Sequence, residues 1–242
     1  MGYIATDWNV SSKMKWKNLQ EAAEDFRYLL NRGYPRKPSL ELVGNRYQLT
    51  FDERHLLHRG VFSDEDSIWR KGRKIPFYQI RDRDLAIDGY NLVITLEAGL
   101  SGLPLILGDD GFIRDISGLS GNYRRSEKTE EALLLIFNAL KRVKPRHALF
   151  LFDAPISKSG ELAREIRRRL KKEGIPGNAQ AMKVPEKILI GFSGVVATTD
   201  TAIIDQSKKA VDLAGHILRH KSKSKSLISW RKNPVSSKIL RV

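Results

Sequence analysis

At 242 residues with 41% hydrophobic side chains, the chain is long enough for one large domain or two modest ones with real cores, and extended disorder is not expected. Forty-three Lys and Arg against 28 Asp and Glu leave a formal net charge of +15, which favours polyanionic partners, nucleic acid first. There is no cysteine, which excludes a disulfide framework, a thiolate metal site and a cysteine nucleophile and fits an intracellular setting. The start "MGYIATDWNVSSKMKWKNLQ" has no apolar h-region, and no run of about 18 apolar residues occurs, so a cytoplasmic protein without a membrane partner is expected.

From Trp16 to Leu30, apolar residues recur at spacings of three and four, the mark of an amphipathic helix, and "NRGYPRKPS" stops it with Gly33 and Pro35. "SLELVGNRYQL" and "TFDERHLLHRGVF" predict two further short helices, the second opened by Thr50 with Glu53 three residues on, a capping-box pattern. "SDEDSIWRKGRKIPFYQIRDRD" then turns to charge, Gly and Pro, which reads as a linker and places a boundary near residue 82. Residues 1–82 are therefore expected to form a small helical domain with its linker.

Beyond the boundary, strand and helix signals alternate. "LAID" at 85–88 reads as a buried strand, Leu92–Leu100 as a helix, and "LPLILGDDGFIRDIS" as a hairpin around Asp110–Gly111. "SEKTEEALLLIFNALKRV" is a periodic helix opened by Ser126 or Thr129, "HALFLFD" at 147–153 a continuous apolar strand, and "SGELAREIRRRLKKEG" a helix closed by Gly174. "NAQAMKV" and "GVVATTD" at 194–200 suggest two more strands, and "AIIDQSKKAVDLAGHIL" one helix. Unbroken apolar strands alternating with helices predict an α/β domain over 83–218 around a mostly parallel sheet covered on both faces. The remaining 219–242, a basic tail alternating Lys with Ser, is expected to be solvated. Residues 213–242 carry 8 basic and no acidic side chains, more than half of the net charge.

Asp88, Asp153 and Asp200 each end a predicted buried strand. In open parallel sheets ligands bind at that edge, and three carboxylates converging there repel one another unless a cation lies between them. Such a cluster suits a hard, oxygen-seeking ion, Mg²⁺ or Mn²⁺. Glu130, favoured over Glu131 by the apolar phase of its helix, and Asp205, five residues after Asp200, are placed to join. Asn91 can hold a metal-bound water, a scissile phosphate or the turn itself. A lone Asp after a strand is more often a turn former or helix cap than a ligand, and three on successive core strands carry the case.

"AIDGYNLVI", "LFLFDAP" and "VVATTDTAIID", in that order with an acidic helix between the first two, resemble the PIN-like nuclease superfamily, especially its NYN and YacP-like branches, over about residues 83–218. Joined to the helical part carrying "RGYPRKPSLELVGNRYQL", the chain also resembles an archaeal protein family of unknown function. The first resemblance implies an α/β/α sandwich and a Mg²⁺- or Mn²⁺-dependent endoribonuclease. Asp88 would be the first metal ligand, Asn91 the companion residue of the "DGYN" turn, Glu130 the helix carboxylate, and Asp153 and Asp200 the later acids. Many relatives place a further acid one or two residues after the last aspartate, where Thr201 and Ala202 stand here, with Asp205 later; that leaves one metal the simpler expectation. The chemistry would be in-line attack of a metal-activated water on an RNA phosphodiester.

No G-x-x-x-x-G-K-[ST] loop is present and no G-x-G-x-x-G follows a strand. A haloacid-dehalogenase-like phosphatase would need an acid where Tyr90 stands. The stronger rival is a catalytically silent RNA-binding or ribosome-associated module, with rRNA or tRNA among its partners. Either reading uses Arg164, Arg167, Arg168, Lys171 and Lys172 along one helix, and Arg124, Arg125 and Lys128 before the acidic helix, as phosphate contacts. Trp230 beside Arg231 and Lys232 can stack on an unpaired base or pack on the domain. Tyr34, Arg46 and Tyr47 are further candidates in the helical part. His55, His58 and His147 are read as core or surface residues, not as a zinc site.

Overall fold

The structure, a computed structural model, describes residues 13–116, 123, 125–156, 158–221 and 227–230. Four helices come first: α1 (Lys13–Asn31), α2 (Arg36–Arg46), α3 (Phe51–Gly60) and α4 (Asp64–Arg73). Gly33, at φ +79°, ends the first where a Cβ would be strained. The capping box of α3 forms as its spacing predicts: the Thr50 side chain accepts from the Glu53 amide, and the Glu53 carboxylate accepts from the Thr50 amide. Helix α4 lies where a linker was expected. It is inside out: Ser67 and Arg70 are its buried residues, while Ile68 and Trp69 are exposed. An apolar-periodicity test cannot find such a helix.

After a 3-10 turn (Phe77–Ile80) strands and helices alternate: β1 (Asp84–Asp88), α5 (Gly89–Leu100), β2 (Leu105–Leu107), β3 (Ile113–Asp115), α6 (Glu127–Val143), β4 (His147–Asp153), α7 (Ser159–Lys172), β5 (Gly177–Met182), α8 (Glu186–Gly191), which was not expected, β6 (Val195–Ala197), α9 (Thr201–Gln206), β7 (Ala210–Val211), α10 (Leu213–His220) and β8 (Leu227–Ser229). Five strands make one parallel sheet in the order β5-β4-β1-β6-β7. The chain builds outward from β1 through β4 to β5, then crosses back to β6 and β7, so the switch point of this doubly wound sheet lies between β1 and β6.

The alternation of side chains builds three layers. Leu85 and Ile87, Phe150 and Phe152, and Val195 and Ala197 face a large core with α5, α6, α7 and α10. Ala86, Leu151 and Val196 face a smaller one with Leu189 of α8 and Ile203 of α9. Phe152 also explains the glycine after Asp88: a Cβ on Gly89 would run into the Phe152 ring. Tyr90 then packs edge-on against Phe152, ring centroids 5.2 Å apart.

The expected single helix over 202–218 is instead α9, β7 and α10. Ala210 and Val211 extend the sheet beside Val196 and Ala197, and the Val196 amide donates to the Lys209 carbonyl. Apolar periodicity runs through this segment because both helices and the strand are buried. The tail also departs from the solvated expectation: residues 227–229 pair in parallel with β2, which pairs antiparallel with β3 in the predicted hairpin. Helices α1–α3 close their core on this second sheet through Ile106, Ile116, Ile228 and Trp230. Among the described residues no helix is long and apolar enough to cross a membrane.

Candidate active site at the carboxyl edge of the sheet

Asp88 ends β1 at the switch point and caps α5, one carboxylate oxygen accepting from the Asn91 amide at 3.4 Å. Its other oxygen accepts from the Thr198 hydroxyl at 2.9 Å, just past β6. Asn91, in the first turn of the helix that Asp88 caps, uses its side-chain oxygen to accept from the Thr199 amide at 3.0 Å and the Thr199 hydroxyl at 3.1 Å. Two residues of "DGYN" thus hold the turn after β6. That turn carries Asp200, which caps α9 by accepting from the Ala202 and Ile203 amides on a single oxygen, Oδ1.

The electrostatics of this edge are those of crowded carboxylates. Burial pushes the Asp88 carboxyl up to about 7, and Asp200 and Asp153 add to the rise, while the Thr198 and Asn91 hydrogen bonds oppose it. Asp153, ending β4, is also held above the usual range, by burial and then by Glu186. Burial and Asp153 push the Tyr90 phenol up to about 12. Glu186, the first residue of α8 after β5, is an edge acid that sequence reasoning missed; Pro-Glu directly after a predicted strand was the available signal.

The other predicted acids are drawn elsewhere. Glu130 does not turn to the strand ends: its oxygens are taken by Arg125 and Arg169, on the side of α6 that faces α7. Asp205 makes a two-pronged ion pair with Arg70 of α4, at 2.7 and 2.8 Å, and so faces the N-terminal helices. Among the described residues no group of three or more acidic or histidine side chains is close enough to enclose a metal ion. Asp88, Asp153 and Asp200 share an edge, and Asp88 feels the charge of the other two, without forming a closed cage.

One wall beside the site comes from β3 and the N-terminal helices. Arg114 of β3 donates to the Thr199 carbonyl at 2.8 Å and pairs through two nitrogens with the fully buried Asp110. Neighbouring Asp115 accepts from Thr95 of α5 and from Arg59 of α3. Asp109 is bound by both Arg27 guanidinium prongs and by the Phe62 amide. The turn holding Asp200 is therefore braced by a strand that is itself tied to the N-terminal helices.

The basic candidates divide in two. Arg164, Arg167, Arg168, Lys171 and Lys172 line the exposed outer face of α7, with Arg167 also donating to the Ala179 carbonyl. Arg168, Arg169, Lys172 and Glu173 border a shallow depression there. Arg125 and Lys128 are instead engaged by Glu130 and Glu165, and by Glu131. Trp230 takes the packing alternative: it is 3% exposed and stacked on Trp16 at 5.8 Å, which leaves no face for a base. Tyr47 donates to Asp25 at 2.9 Å, and Arg46 lies over the Tyr47 ring. Arg124, Arg231 and Lys232 lie outside the described residues.

Fold and site together define an α/β protein with three carboxylates along the carboxyl edge of a parallel sheet and a helical N-terminal part joined to it. Residues 77–216 match the family model "Domain of unknown function (DUF5616)", and residues 18–73 match "Protein of unknown function (DUF434)". The chain is 33% identical over 208 residues to the uncharacterized protein MJ0935 of Methanocaldococcus jannaschii, covering 85% of this chain and 99% of that one. The chain belongs to the DUF5616 family, here with a DUF434 segment at its N-terminal side. No solved structure matches it.

Proposed function

We propose that this protein is a metal-dependent ribonuclease with a PIN-like α/β/α domain, hydrolysing RNA phosphodiesters at the edge marked by Asp88, Asp153 and Asp200. The observation that carries the reading is Asp88: a carboxyl with a pKa of about 7, at the switch point, its charge opposed by two neighbouring acids. Net charge and the basic face of α7 support a polyanionic substrate.

The donor set suits a hard divalent cation, because Mg²⁺ and Mn²⁺ take carboxylate oxygens, keep several waters and do not require a closed protein cage. Asp88, Asp153 and Asp200 would hold it, and the ion would lower the pKa of a bound water and neutralise developing phosphate charge. Because its carboxyl is raised towards neutrality, Asp88 would give up its proton on taking up the cation, so metal binding would strengthen as pH rises. Thr198 fixes the direction of that carboxylate, and Asn91 fixes the backbone that presents Asp200. Helix α7 starts after Asp153 at the carboxyl edge and its basic face runs from Arg164 away from that edge to Lys172, where it would hold the phosphate backbone flanking the site.

A second reading, RNA binding without cleavage, is favoured by the cap roles of Asp88 and Asp200 and by the ion pairs that occupy Glu130. Incubation of the full chain with labelled single-stranded and structured RNAs, in Mn²⁺ or EDTA, separates the two. Metal-dependent cleavage abolished by Asp88→Asn with Asp153→Asn is the expected result. Cleavage that survives the double substitution overturns the site, and metal-independent binding without cleavage across a broad RNA set selects the second reading.

A further inference from the structure

Helix α4 buries two polar residues, Ser67 and Arg70, and exposes both of its large apolar ones, an arrangement that stability alone does not favour. Its buried side is spoken for: Arg70 pairs with Asp205 of α9. Its open side carries Ile68, 70% exposed, and Trp69, 53% exposed. One turn on, the Arg73 guanidinium lies 3.5 Å from the Trp69 ring centroid, and Arg73 also donates to the Trp69 carbonyl at 3.4 Å. The cation holds the indole in one orientation while leaving half of its surface to solvent.

The same device occurs on α1. Tyr28 is 58% exposed and Arg32, four residues on, lies 5.1 Å from its ring centroid. The two helices are joined next to it, where Asn31 donates to the Asp64 carboxylate and accepts from the Asp64 amide. Two exposed rings, each with an arginine at the next turn, thus stand on adjacent helices. The last turn of α4 is basic, with Arg70, Lys71 and Arg73.

We infer that Trp69, with Arg73 stacked on it, is a platform for an unpaired base of single-stranded RNA, and that Tyr28 with Arg32 is a second. Charge selects the occupant. A flat aromatic surface beside a basic helix end, in a chain of net charge +15, suits a polyanion whose bases offer π-faces, and stacking of this kind tolerates any sequence. The inference rests on RNA being the ligand of the proposed site and adds to it the strandedness of the RNA. Because Arg70 ties α4 to α9, and Asp200 caps α9, the platform and the acidic edge are joined through one short helix.

The test uses the full chain in EDTA, so that no cleavage can occur, with labelled oligouridylate, oligoadenylate and a blunt-ended RNA duplex. Trp69→Ala should weaken single-strand binding about five- to a hundredfold, the effect of removing one stacked base, with Trp69→Phe falling between it and the parent. Duplex binding and the salt dependence of single-strand binding should not change, because every phosphate-binding cation is kept. Indole emission quenched by oligonucleotide in the parent should lose that response in Trp69→Phe. Parent-like affinity of a Trp69→Ala protein with an unchanged melting curve overturns the inference. So does self-association that buries Trp69 and disappears in the variant, which would make the face a protein interface. If Trp69 dependence holds and no metal supports cleavage, the nuclease reading falls and the platform stands; if cleavage occurs and Trp69→Ala binds normally, the platform alone falls.

Discussion

The hydroxyl of Thr198 donates to the carboxylate of Asp88 at 2.9 Å, across the point where the sheet changes its direction of growth. The bond opposes the effect of burial, which otherwise drives the Asp88 carboxyl upward. Thr198→Val keeps the shape and removes the donor. The Asp88 pKa should then rise further, and the rising limb of the cleavage profile should move to higher pH. Carboxyl titration by NMR checks the shift without any substrate; an unmoved Asp88 would show that the bond does not tune it.

Asp88 also links pH to stability. A carboxyl whose folded pKa is raised binds its proton more tightly in the native state, so its contribution is favourable at low pH and is lost as pH rises from about 4 towards about 7. Asp88→Asn, which can still accept from Asn91, should therefore raise the melting temperature at pH 8 and raise it much less at pH 5. Saturating Mg²⁺ or Mn²⁺ should raise the melting temperature of the parent at pH 8 and do so much less in the variant. Equal effects of the substitution at both pH values would contradict the raised carboxyl.

The buried ion pairs predict one unfolding unit. Arg114 holds the fully buried Asp110 and the Thr199 carbonyl, while Arg70, Arg27 and Arg59 reach from the N-terminal helices to Asp205, Asp109 and Asp115. Arg114→Met leaves Asp110 without its two-pronged partner and should cost about 3–5 kcal/mol. Heating the parent should give a single calorimetric transition in which helical and sheet signals disappear together. Two separated transitions would mean that α1–α4 unfold independently of the sheet.

Gly89 has a steric role. Gly89→Ala pushes a Cβ into the Phe152 ring and should destabilise the chain by about 1–3 kcal/mol, as overpacking does. Adding Phe152→Leu should recover part of that stability, a non-additivity that chemical denaturation measures directly.

The exposed row on α7 should act through charge. Replacing Arg168 and Lys172 by Gln should weaken RNA binding at low salt and lower the slope of log K against log salt by about 0.7 for each single-strand phosphate that is no longer neutralised. Affinity that falls with an unchanged slope would point to a structural effect of the substitutions.

Much of this was legible in the chain because it depends on neighbours in sequence. The Thr50–Glu53 capping box, the strands ending on Asp88 and Asp153, the hairpin around Asp110–Gly111 and the exposed basic side of α7 follow from spacings that local geometry reads directly. Helix α4 was illegible for a physical reason: its buried side is polar, satisfied by partners as distant as Asp205, so periodicity points the wrong way. Strand β7 hid inside an apolar stretch that served a helix equally well, and Trp230 sat in a basic tail whose composition outweighed its short apolar strand.

Local spacing and composition were enough for the alternating α/β order, the placement of carboxylates after core strands, and a charge that invites a polyanion. Which carboxylates meet is a matter of long-range packing. Asp88 finds Thr198, 110 residues away, and Asp153 finds Glu186, whereas Glu130 is claimed by Arg169 and Asp205 by Arg70. Each carboxylate meets whichever cation, donor or second acid the packed layers bring within reach, and that distance is set by strand order and helix packing, which spacing along the chain does not encode.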